Sequence, residues 1–119
     1  MFIDVHGHAC RDPYPGVHGK PVFSTPEQLI PRYDELGIEK AALLPIVNPE
    51  VYLPQSNEEI LAICRDRQDR FFPFCNIDPR QVGNSAWADL GGLLEFYRAA
   101  GCRGVGEVAA SLPFNHPMV

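Results

Sequence analysis

The chain has 119 residues, 45% of them apolar and 21% charged, which argues against disorder and fits one soluble domain around one core. A net charge of −5 repels phosphate backbones and argues against nucleic acid as a partner. No window approaches the roughly 18 consecutive apolar residues of a membrane span. The opening MFIDVHGH lacks a basic segment followed by an apolar one, so neither a membrane nor a secretory signal is expected, and the compartment is read as cytoplasmic.

The first strand is expected over Met1–Val5. A loop from about Gly7 to Thr25 follows, carrying Tyr14, His18 and several prolines and glycines. Loops of this length inside compact domains are often functional. His18 reads as a solvated loop residue. Helix one opens at Thr25, an N-cap with Pro26 in the first helical position and Gln28 placed for a capping box. Leu29, Ile30, Tyr33 and Leu36 form its apolar stripe, and Gly37 ends it. Pro31 conflicts with a helix interior, costing about 3 kcal/mol, so a kink or a later start is expected.

Strand two is read over Lys40–Val47, apolar on both faces as in a buried parallel strand. A loop containing Pro49 and Pro54 leads to helix two, capped by Ser56 or Asn57, with Glu58 and Glu59 in its first turn and Ile60, Leu61 and Cys64 inward. Arg65, Arg67 and Arg70 fall late in or just past this helix and read as a solvated basic face complementing its dipole. Strand three is expected over Phe71–Ile77, weakened by Pro73, with a turn at Asp78-Pro79. Helix three runs from about Trp87 to Ala100, with Leu90, Leu93, Leu94 and Tyr97 inward and Gly101 as its stop. Strand four covers Arg103–Ala109, and a loop follows. Cys10, Cys64, Cys75 and Cys102 form no C-x-x-C pair; reduced thiols are expected, the last three as packing residues.

Strands alternating with helices predict a parallel sheet with right-handed crossovers. A doubly wound sheet and a (β/α)₈ barrel both fit. A full barrel needs about 250 residues, so the barrel reading is one stopped after its fourth strand. A chain ending just past a strand, with no covering helix, favours that reading over a complete doubly wound domain.

The chemistry centres on His6-Gly7-His8 at the C-terminal end of the first strand. Residues two apart on a strand share a face, so both imidazoles can converge on one metal ion. Active sites of parallel α/β folds form at that end. Asp4 has the same parity and is expected to orient a histidine from one layer deeper. Glu107 is an acidic residue in the otherwise apolar GVGEV run of strand four. A lone buried carboxylate is costly, so Glu107 either serves the site, as metal ligand or orienter of a catalytic water, or pairs with a base such as Arg103. Gly104 and Gly106 allow close backbone approach or a bend.

FIDVHGH, TPEQLIPRYDELGIEKAALLP and GVGEVAASLPFNHP together resemble the amidohydrolase superfamily, in its amidohydrolase-related branch, over nearly the whole chain. The resemblance implies a (β/α)₈ barrel of TIM type, of which residues 1–119 are the N-terminal half. It implies His6 and His8 as ligands of a divalent metal, usually zinc, Glu107 as a catalytic carboxylate, and hydrolysis of an amide, ester or lactone in a small-molecule substrate. In related metal-dependent deoxyribonucleases the matching Glu binds metal. The family completes its site with histidines on strands five and six and an aspartate on strand eight, which this sequence does not contain. His116 matches none of these and is expected to be structural or exposed. A metal-dependent decarboxylase of the same superfamily is the alternative enzyme. A non-catalytic half-barrel that self-associates through its open edges is the alternative from another class.

Overall fold

The computed structural model describes residues 2–12, 19–20, 22–46, 55–108, 111–113 and 115–118. Its elements in order are β1 (Phe2–Gly7), α1 (Pro26–Leu36), β2 (Ile38–Leu43), α2 (Asn57–Asp66), β3 (Phe71–Pro73), α3 (Pro79–Val82) and α4 (Leu90–Ala99). The strands form a parallel sheet in the order β1-β2-β3. The fold is therefore α/β, as the sequence predicts. Met1, Tyr14, His18, Val47, Pro49, Pro54 and Ala109 lie outside the described residues.

The strands differ from the expected spans for local reasons. β1 extends over His6 and Gly7, because the Gly7 carbonyl still accepts from the Leu44 N–H at 2.9 Å. β2 starts earlier, at Ile38, and ends at Leu43; Leu44 and Pro45 beyond it are buried without being strand. β3 is assigned only over Phe71–Pro73, although just past it the Phe74 N–H still donates to the Leu43 carbonyl at 2.9 Å. The fourth strand is reduced to a bridge between Cys75 and Val105. Around it the Pro73 carbonyl accepts from the Arg103 N–H at 2.9 Å, Cys75 N–H donates to the Gly104 carbonyl at 3.0 Å, and Gly106 N–H donates to the Cys75 carbonyl at 2.9 Å. The parallel register thus carries on to Gly106 and places the next residue, Glu107, past the end of β3. Gly104 is required here: a Cβ on it would sit 2.5 Å from the Phe74 ring.

α1 begins at Pro26 after Thr25, whose N–H donates to the Gln28 side-chain oxygen at 3.1 Å. It runs unbroken through Pro31 to a left-handed Gly37, so no later start occurs. Pro31 is exposed, as is Glu27, whose carbonyl it deprives of a donor; water can take that bond. Leu36 is exposed and leaves the inward stripe to Leu29, Ile30 and Tyr33. Ser56 caps α2, its hydroxyl accepting from the Glu59 N–H at 3.1 Å. The third long helix begins at Leu90 rather than Trp87. Asp89 caps it by accepting from Gly92 N–H at 3.1 Å, and Trp87 is exposed ahead of it. Where the sequence marks only a turn, Asp78 caps the single turn α3 and pairs with Arg80 at 2.7 Å. The Arg80 hydrogen bonds hold its carboxyl below the usual range.

The main core joins Tyr33 of α1, Ala41 and Leu43 of β2, Ile60, Ile63 and Cys64 of α2 and Phe71 of β3. Full burial of a side chain such as Leu43 or Ile60 is worth about 1.5–3 kcal/mol. A second cluster joins Cys75, Tyr97 and Cys102. The four cysteines are free and buried, and burial pushes the Cys64 and Cys102 thiols up to about 12. They are packing residues rather than nucleophiles.

Candidate metal centre

β1 does not keep a regular parity. Asp4 pairs with Ala41 and Gly7 with Leu43, so three steps on β1 match two on β2. The extra residue is a bulge, and it turns Asp4 and Gly7 to the same side. There the Asp4 carboxylate accepts from the Tyr33 hydroxyl at 2.6 Å and from the His6 backbone N–H at 2.9 Å. A Cβ on Gly7 would lie 2.8 Å from that same hydroxyl oxygen. Asp4 therefore does not orient an imidazole, as strict alternation predicts; it secures the bulge that carries His6. Burial first, then the Asp4 carboxylate, raise the pKa of the Tyr33 hydroxyl above the ordinary tyrosine value.

The opposite side of the bulge carries the histidines. His6 Nε2 lies 2.9 Å and His8 Nε2 3.5 Å from the same oxygen, Glu107 Oε2. The rings sit edge to face with centroids 5.1 Å apart. His8 Nδ1 is 3.0 Å from the Leu44 carbonyl, which can only accept. That bond places the proton on Nδ1 and leaves the Nε2 lone pair aimed at Glu107. The side chains are 57%, 21% and 49% exposed for His6, His8 and Glu107. Glu107 is thus not the buried carboxylate expected, and its partners are the histidines, not Arg103.

Neighbouring amides hold these groups. Asn57, the first residue of α2, donates to the Asn76 carbonyl and accepts from the Asn76 N–H, both at 2.8 Å. The Asn76 side-chain NH₂ donates in turn to the Glu107 carbonyl. Gln55 donates to the Ala9 carbonyl at 2.6 Å and accepts from the Ile46 N–H at 3.2 Å, tying the residue after His8 to the segment after β2. Gln55, Asn57 and Asn76 are buried; the sequence offers Asn57 only as an alternative cap of α2 and gives Gln55 and Asn76 no role. Asn76 had a signal, a polar residue closing the apolar FFPFC run at the same strand end as the histidines. Gln55 had none. His116 stands apart, with Nδ1 accepting from the Met118 N–H at 3.2 Å in a local turn; His18 lies outside the described residues.

The donor set fits a divalent cation. One atom from each of His6, His8 and Glu107 lies within 4.8 Å of the others. Nitrogen and oxygen donors about 2.0–2.2 Å from a tetrahedral zinc lie about 3.3 Å apart. The two measured separations, 2.9 and 3.5 Å, bracket that value.

No protein-family model and no curated protein matches the sequence. Among solved structures, the chain is similar to a probable 2-pyrone-4,6-dicarboxylic acid hydrolase from Acinetobacter baumannii, crystallised with citric acid bound, at 19% identity and a TM-score of 0.51. The match covers 87% of this chain and 36% of that one. What the two share is fold. The chain spans about a third of its neighbour's length. Among the described residues, no helix is long and apolar enough to cross a membrane.

Proposed function

We propose that this chain is the N-terminal half of an amidohydrolase-type barrel and contributes His6, His8 and Glu107 to a divalent metal centre that holds zinc, for hydrolysis of an amide, ester or lactone in a small molecule. One observation carries the reading: both Nε2 atoms, delivered by one strand end, meet a single carboxylate oxygen delivered by the fourth. The fold likeness to a probable hydrolase supports it.

A bound divalent cation supplies Lewis acidity toward a carbonyl and acidifies water. The residues here hold and shape that centre. His8, its Nδ1 held by the Leu44 carbonyl, turns its Nε2 toward Glu107. His6, the more open of the pair, sits on the bulge secured by Asp4 and Tyr33. Glu107 brings the negative charge that offsets the cation, in a ligand's place between the two rings. From sequence, metal ligation and orientation of a catalytic water both stand open for Glu107; its oxygen beside both rings supports ligation, with a second oxygen left to accept a proton or orient a nucleophile.

Elemental analysis tests this directly. The purified chain is expected to retain zinc or manganese after dialysis. His6→Ala/His8→Ala and Glu107→Gln variants, checked for native circular dichroism, are expected to lose it. Equal metal content in all three proteins, or none in any of them, would count against the centre.

A further inference from the structure

The chain's ten basic residues are not evenly matched by acids. Arg32, Arg67, Arg70, Arg80 and Arg98 each form an ion pair with a carboxylate. That splits the basic group seen in the sequence: Arg67 pairs with Glu27 and Arg70 with Asp34, while Arg65 makes no ion pair with a described residue. Lys40 and Arg103 make none either. These three unpaired cations, from α2, β2 and the fourth-strand segment, line one cavity of about 520 Å³. Among the described residues, no acid lines it.

The cavity shares no lining residue with the His6, His8 and Glu107 cluster, and its wall runs from Ile3 and Lys40 to Pro73, which pairs with Leu43. Ile3 and Lys40 are register partners near the start of β1 and β2. Arg103 precedes Glu107 by four residues on the same segment, about 13 Å along an extended chain. Apolar walls come from Leu61, Phe71, Phe72 and Pro73. The volume falls in the range of small-molecule sites, roughly 300–1,000 Å³.

The geometry points to a second site here, away from the metal centre, for a small organic anion with an apolar body and a carboxylate. The cations favour a negative group, and a guanidinium fork matches a planar carboxylate better than a spherical ion. The apolar walls require a hydrophobic body, which excludes an inorganic anion as the preferred occupant. The site is independent of metal and does not rest on the hydrolase reading.

Benzoate serves as probe, with acetate, inorganic phosphate and benzyl alcohol as comparison ligands, titrated into the whole chain in chelator and followed by amide chemical shifts. Benzoate is expected to bind more tightly than all three, with shifts at Leu61 and Phe72 rather than at His6 and His8. Arg65→Gln, Arg103→Gln and Lys40→Gln are each expected to weaken it about fivefold, the value of a partly exposed ion pair. Arg98→Gln, an exposed cation outside the cavity, is expected to change nothing, and His6→Ala/His8→Ala is expected to bind benzoate as the parent does. Benzoate binding no tighter than benzyl alcohol, acetate or phosphate overturns the proposal. So does an affinity indifferent to the three cations.

Discussion

At the scale of single residues, the histidines depend on amides that carry no chemistry of their own. Asn76 bridges α2 and the Glu107 backbone, and its own backbone is held by Asn57. In an Asn76→Ala variant the Asn57 bonds to the backbone remain, so local structure persists while Glu107 loses its tether. Zinc affinity is expected to fall about tenfold to a hundredfold, as when other residues behind metal ligands are removed. Chelator competition measures it, and the urea midpoint of the metal-free protein should move far less than the affinity does. An affinity within twofold of the parent would mean that Glu107 is not positioned through this chain of amides.

At the scale of elements, capping chemistry was legible from sequence and bulge geometry was not. Thr25, Gln28, Ser56 and Gly37 act as their residue types predict, because a cap is decided within a few residues. The His6-Gly7-His8 convergence was legible for the same reason. The bulge between Asp4 and Gly7 depends on Tyr33 reaching across from α1, a contact over 29 residues, so alternation misplaced Asp4. Pro31 tests the reverse case, where tertiary context overrides propensity. It is exposed in the middle of α1 and fills no core position. Pro31→Ala restores a helix hydrogen bond without creating a cavity and is expected to raise stability by about 1–3 kcal/mol. Urea unfolding reads this out; an unchanged or lower midpoint would show that the proline ring contributes something that the helix alone does not explain.

At the scale of the whole molecule, no strand among the described residues pairs with the outer edge of β1 or with that of the fourth-strand segment. β1 is an edge strand, and Phe2, Ile3 and Val5 on it are 67%, 53% and 71% exposed. At the other end Val105 and Val108 are exposed on the fourth-strand segment. Unpaired parallel edges flanked by apolar side chains are templates for strand addition, and contiguous apolar patches seek cover. The proposed metal centre sits at one end of this surface, with His6 itself on β1, so whatever pairs with β1 also closes the site from that side. Sedimentation velocity of this chain is therefore expected to show association that grows with concentration. Val5→Lys places a charge at the most exposed apolar position of β1 and is expected to shift the chain toward monomer, with circular dichroism unchanged. If parent and variant both run as monomers throughout, or associate alike, the β1 edge is not the contact.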